Sequence, residues 1–189
     1  MKNIAIFASG SGTNAENLIR FFRTSPSGRV KLVLTNKPEA YVVKRAQSYD
    51  IETVVFNREQ FYQTGEVMSI LEDRGIDFIV LAGFLWLVPD ALLQKFEGKV
   101  VNIHPALLPK YGGKGMYGQH VHKAVIASGE TKSGISVHHV NQKYDEGNII
   151  FQATCEVKKD DTPESLAKRI HTLEYEHFPK VVEEVLNQF

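Results

Sequence analysis

The sequence has a single cysteine, Cys155, so no disulfide can form within the chain. Its place in the apolar run Ile149 to Cys155 is the setting of a buried, inert thiol, and a reducing, cytoplasmic compartment fits it best. An excess of charge is missing too, since 22 Lys and Arg balance 22 Asp and Glu. Without a net positive field to draw polyanions, nucleic-acid and membrane-surface binding are disfavoured. No apolar stretch approaches the roughly 20 residues needed to span a bilayer. The run Asn3 to Ala8 is also too short for a secretory leader. No tract repeats at a period of about 20 to 50 residues, which argues against solenoids and propellers. No Ser-, Gly- or Pro-rich linker divides the chain, so residues 1–189 read as one domain. Paired cysteines and the His-Glu-x-x-His arrangement are absent. His120 and His122, in a glycine-rich stretch, are therefore not read as a metal site.

What the chain does have is alternation. Short apolar runs at Asn3–Ala8 and Val30–Thr35 are followed by amphipathic segments at Asn14–Arg23 and Tyr41–Tyr49, the βαβα signature. Further strands are expected at Thr53–Phe56, Phe78–Ala82, Val100–Ile103, Gly134–Val140 and Asn148–Glu156, and helices at Glu59–Arg74, Asp90–Phe96, His120–Ser128 and Pro163–Asn187. The early strands are nearly all apolar, as parallel strands covered on both faces must be. The last two alternate more and are joined by the turn-rich Asn141 to Asn148, which predicts an antiparallel hairpin at one edge of a mixed sheet. The final helix opens with Thr162 as cap and Pro163 at its first position, while Ser165 sits where a Glu would complete a capping box. Pro179 is expected to kink or divide it.

Ser9-Gly10-Ser11-Gly12-Thr13-Asn14 lies between a strand and a helix, where small residues let the backbone approach an anion held by the helix N-terminus. The alternative is a tight turn capped by Thr13 or Asn14. A dinucleotide site would want an acid about 20 residues on, and Thr35-Asn36-Lys37-Pro38 offers none, so a monophosphate is favoured over NAD. In Val100 to Pro109, Asn102 and His104 share one side of a strand, at the end of a sheet where ligands bind. An amide that donates to an oxyanion beside an imidazole that moves a proton suits addition of an amine to a carbonyl. The alternative is a polar strand end satisfied by backbone. Asp145 could orient an imidazole, but Asp-Glu-Gly is also ordinary turn chemistry, and spacing alone does not bring Asp145 to His104. Of His138 and His139, one should face inward, packed or hydrogen-bonded. Gly83 to Pro89 reads as core or as the wall of a pocket for a flat heteroaromatic ligand.

Taken together, these segments resemble the phosphoribosylglycinamide formyltransferase family over nearly the whole chain. The resemblance is carried by Ser9 to Asn14, Thr35-Asn36-Lys37, Leu81-Ala82-Gly83-Phe84, the Asn-x-His-Pro run from Asn102 to Pro109, Ser136-Val137-His138 and Asp145 to Ile150. It implies an α/β, Rossmann-like three-layer αβα fold, mostly parallel with an antiparallel edge. The implied activity is transfer of the formyl group of 10-formyltetrahydrofolate to the amine of glycinamide ribonucleotide in purine synthesis, with no metal. Catalytic roles fall to Asn102, His104 and Asp145, phosphate and ribose binding to Gly12, Thr13, Asn14, His171 and Glu174. Folate binding falls to Leu85, Trp86, Leu87, Val88, Asn102, Val140 and Asp145, with Arg58 a candidate for the anionic tail. The implied partners are small molecules alone, in a monomer or homodimer. The chain departs from the family at Leu85-Trp86, commonly Met-Arg, at Ala106, often Ser, and at His171, often Lys or Gln. Its Tyr111 to Gln119 segment is lengthened and glycine-rich, like a lid. Methionyl-tRNA formyltransferases and formyltetrahydrofolate hydrolases carry similar runs in longer chains.

Overall fold

Side-chain alternation in the first strand divides the molecule into layers. Ile4, Ile6 and Ala8 point to one face and Ala5 and Phe7 to the other, and none is more than 1% exposed. A strand apolar on both faces must lie inside a sheet covered twice. The computed structural model describes all 189 residues. In chain order the elements are β1 (Lys2–Phe7), α1 (Thr13–Phe22), β2 (Gly28–Thr35), α2 (Tyr41–Gln47), β3 (Glu52–Val55), α3 (Arg58–Tyr62), α4 (Glu66–Asp73), β4 (Phe78–Leu81), α5 (Asp90–Lys95), β5 (Val100–His104), α6 (Gln119–Ala127), β6 (Lys132–His139), β7 (Ile149–Glu156) and α7 (Pro163–Leu186).

The seven strands form one sheet in the order β3-β2-β1-β4-β5-β6-β7. β3 through β5 in that order run parallel, β6 is antiparallel to β5, and β7 is antiparallel to β6. The expected mixed sheet with an antiparallel edge is present. Helices α1, α2, α6 and α7 seal one face through Leu18, Val42, Val121 and Ile170. Helices α3, α4 and α5 seal the other through Phe61, Leu71 and Leu92. Strand order reverses between β1 and β4, so the chain leaves their C-terminal ends in opposite directions and opens a crevice between them. No helix is long and apolar enough to cross a membrane.

Two local expectations are corrected and a third is narrowed. The helix expected over Glu59–Arg74 is two, because the chain breaks after Tyr62 and Gly65 takes a φ of 72° at the start of α4. The first piece starts one residue earlier, capped by Asn57 and Gln60 in reciprocal hydrogen bonds. Pro179 does not divide α7, which runs unbroken to Leu186. Proline lacks the N–H that would bond the carbonyl four residues back, and that carbonyl, of Tyr175, instead accepts from Asn17 Nδ2 at 3.0 Å. The lost helix bond becomes a tie between α1 and α7. Cys155 is half-buried rather than enclosed, since β7 forms the sheet edge, and that partial burial raises its thiol pKa. Ser165 does complete the capping box with Thr162.

Candidate active site

The crevice holds a cavity of about 700 Å³. One end is the turn after β1. Gly12 precedes α1 with a φ of 73° and no side-chain cap, so the N–H groups opening α1 are left for a ligand rather than consumed by Thr13 or Asn14. A Cβ on Gly12 would stand 2.5 Å from Val42 Cβ, so only glycine lets α1 and α2 pack there. Asn14 and Glu174, brought together from α1 and α7, join through Asn14 Nδ2 donating to Glu174 Oε2 at 2.9 Å. Glu174 is 6% exposed and has no cation beside it, and burial raises its pKa to about 7, against a small opposing pull from Asn14. His171, one turn earlier on α7, lines the same end.

The other end is the loop after β4, whose Leu85, Trp86, Leu87 and Val88 all line the cavity. Two tyrosines pin it, Tyr62 donating to the Leu87 carbonyl at 2.8 Å and Tyr144 to the Leu85 carbonyl at 3.3 Å. Beneath it lie Phe7, Phe56, Phe61 and Phe84 at ring separations of 5.0 to 6.1 Å. Trp86 rests on this cluster, with the Arg58 guanidinium 4.8 Å from its ring centre. Arg58 is thereby drawn to Trp86 and does not line the cavity. The two ends are tied by Ser9, whose N–H donates to the Gly83 carbonyl and whose hydroxyl accepts from the Leu85 N–H and donates to Asn36.

Between the ends sits a polar cluster. Asn102 and His104 project from the same side of β5, and the antiparallel register sets Asn102 opposite His138 of β6. Asp145 arrives from the β6–β7 turn with a φ of 56°, a strained setting for a residue with a side chain. Its Oδ2 lies 3.5 Å from His104 Nδ1 and its Oδ1 3.6 Å from His138 Nε2. The fold supplies the approach of Asp145 to His104 that sequence spacing left open. His104 Nε2 lies 2.7 Å from the Tyr111 carbonyl, and a carbonyl only accepts, so Nε2 carries a proton and Nδ1 is the nitrogen left to gain or give one. By the same logic His138 Nδ1 donates to the His139 carbonyl at 2.8 Å, leaving Nε2 to accept from Asn102 Nδ2 at 3.0 Å. Only a long 3.4 Å contact to Asp145 engages the second N–H of that amide.

Burial holds His104 below the ordinary imidazole pKa, although Asp145 and the Tyr111 carbonyl pull the other way. Burial pushes Asp145 up, but His138, His104 and the Gly113 N–H together hold its carboxyl below the usual range. The centre at neutral pH is a neutral imidazole beside a carboxylate, a pair ready to accept one proton. His138, read from sequence as packed or hydrogen-bonded, is both, and it also orients Asn102; the strand alternation that turned one of the two histidines inward was its signal. His122, which the sequence offers only as a declined metal ligand in a glycine-rich stretch, also lines the site. It is 2% exposed on the cavity floor, its Nδ1 has no partner, and burial followed by His171 and His104 lowers its pKa to about 4. No group of three or more His, Cys, Asp or Glu is placed to hold a metal.

An anion-facing turn and an apolar slot, with an amide, an imidazole and a carboxylate between them, define a group-transfer enzyme that handles a carbonyl carbon. The chain belongs to the formyl transferase family, whose sequence model matches residues 2–182. It is 41% identical over 187 residues to the chloroplastic phosphoribosylglycinamide formyltransferase of Arabidopsis thaliana, covering 96% of this chain and 64% of that protein. It is 35% identical to phosphoribosylglycinamide formyltransferase of Bacillus subtilis, covering 98% and 95%. The crystal structure of phosphoribosylglycinamide formyltransferase from Bacillus halodurans superposes with a TM-score of 0.87 at 35% identity, covering 98% and 95%.

Proposed function

We propose that this chain transfers the formyl group of 10-formyltetrahydrofolate to the primary amine of glycinamide ribonucleotide, yielding the N-formyl product and tetrahydrofolate. The carrying observation is the juxtaposition of Asn102, His104 and Asp145 midway between an anion-facing turn and an apolar slot. A cavity of about 700 Å³ lined by the Gly12 turn and by the Leu85–Val88 loop suits two substrates meeting end to end. The amine's phosphate would sit on the N–H groups at Gly12, Thr13 and Asn14, its ribose hydroxyls against Glu174, with His171 alongside. The flat heterocycle of the donor would enter the slot formed by Leu85, Trp86, Leu87, Val88 and Val140, and Arg58 over Trp86 would meet its anionic tail.

The donor supplies a formyl carbon on a nitrogen able to leave. When the amine adds to that carbon, negative charge grows on the formyl oxygen, and the loosely held N–H of Asn102 is placed to receive it. His104 Nδ1 takes the proton the amine sheds and returns it to the departing nitrogen, while Asp145 stabilises the transient imidazolium. His138 keeps the Asn102 amide turned the right way. The test compares acceptors: purified protein should release tetrahydrofolate from 10-formyltetrahydrofolate with glycinamide ribonucleotide present and not with water alone. Equal turnover with water would replace this reading with a hydrolase.

A further inference from the structure

The loop between β5 and α6 is bonded to the catalytic groups through its backbone. The Tyr111 carbonyl accepts from His104 Nε2 at 2.7 Å, and the Gly113 N–H donates to Asp145 Oδ2 at 2.9 Å. One residue of this loop therefore fixes the imidazole tautomer and another anchors the carboxylate. Between them, a Cβ on Gly112 would stand 2.6 Å from Leu108 Cδ2 and 3.1 Å from Asp145 Cβ, so the loop lies directly against the carboxylate it holds. Its next residue, Lys114, lines the cavity along with Met116, Tyr117 and Gly118, and the loop then feeds α6, whose buried His122 lines the same cavity as His171. The path thus runs from the catalytic dyad toward the end of the cavity where the anion-facing turn lies.

Three lysines line the cavity, Lys37, Lys114 and Lys143. Lys143 is paired with Glu146 at 3.2 Å. Lys37 follows β2, its N–H held by Thr35, and has no bond to the dyad. Lys114 is exposed, and it alone is carried on the segment whose backbone bonds His104 and Asp145. Gly113 and Gly115 on either side take φ values of 100° and 86°, a backbone path that favours glycine, and Lys114 between them is exposed rather than packed.

We propose that Lys114 is a specificity-determining residue that contacts the phosphate of the acceptor and, through the Tyr111 carbonyl and the Gly113 N–H, sets His104 and Asp145 for reaction. This rests on the reading above that the acceptor is a phosphorylated amine. Phosphate occupancy then acts on the rate as well as on binding, because holding Lys114 holds the loop that holds the dyad.

The experiment measures kcat/KM for glycinamide ribonucleotide and for its non-phosphorylated riboside, the latter with and without inorganic phosphite, in wild type, Lys114→Ala and Lys114→Arg. In wild type, the phosphorylated amine is preferred and phosphite stimulates turnover of the riboside. In K114A the preference falls by about tenfold to a hundredfold, the effect of losing one charge-assisted contact, with kcat and KM both affected, and phosphite stimulation is lost. K114R restores both. A K114A preference equal to wild type, or phosphite stimulation absent from wild type or unchanged in K114A, overturns the proposal. Failure of wild type to formylate the phosphorylated amine at all would instead overturn the function on which it rests.

Discussion

Replacing Glu174 by Gln tests whether its carboxyl is held near neutrality by burial. The side chain is 6% exposed, its one polar partner is Asn14 Nδ2, and no cation adjoins it. Its pKa in the folded chain is about 7 against an ordinary 4.5, with burial the cause. A group whose folded pKa is raised contributes stability that is full below pH 4.5 and lost as pH climbs through 7. That gap amounts to an upper figure of about 3 kcal/mol of lost stability across the window. Gln cannot ionise and its carbonyl can still accept from Asn14, so E174Q should match wild type near pH 4.5 and exceed it by up to about 3 kcal/mol at pH 8.5. Urea unfolding at pH 4.5, 5.5, 6.5, 7.5 and 8.5 reads the difference directly. A constant difference between the two proteins across that range would refute the burial argument. Saturation with the phosphorylated amine should shrink the gap, since ribose hydroxyls would stabilise the charged carboxylate.

His104→Ala and Asp145→Asn should each lower kcat by about two to four orders of magnitude with little change in melting temperature, as steady-state rates and thermal scans would show. Because burial lowers the His104 pKa while Asp145 raises it, the acid limb of kcat/KM should fall below pH 6.5 in wild type and lower still in D145N; an upward shift in D145N would contradict the pairing. His138→Ala should reduce kcat roughly tenfold to a hundredfold with KM nearly unchanged, because it frees the Asn102 amide to turn; a change confined to KM would deny it the orienting role. Asn17→Ala should cost about 0.5 to 1.5 kcal/mol in wild type and less beside Pro179→Ala, where a restored N–H can take up the Tyr175 carbonyl.

Periodicity was enough to place the layers, because strands buried on both faces and helices buried on one leave different apolar patterns. The edge hairpin and the grouping of Asn102 with His104 were legible for the same reason. Other features depend on partners far along the chain. The α3–α4 break rests on a backbone conformation at Gly65 that no apolar pattern records. The continuity of α7 through Pro179 needs Asn17, some 160 residues away. The carboxylate of Asp145 reaches His104 only when β6 lies on β5 and β7 on β6. His138 gave a signal without a function, since alternation turned it inward but only its register opposite Asn102 supplies the role. For Arg58, chemistry alone suggests an anionic partner, and the aromatic face of Trp86 that holds it outside the cavity lining is visible only in the fold.

The loop that covers the dyad has a further consequence for what the enzyme excludes. The Tyr111 carbonyl and the Gly113 N–H stand where solvent molecules would otherwise satisfy the imidazole and carboxylate. A water held at the carboxylate would lie beside the His104 Nδ1 base meant for the amine and could accept the formyl group itself. Because backbone groups fill both positions, water is displaced from them, and discrimination between amine and water begins before either substrate arrives.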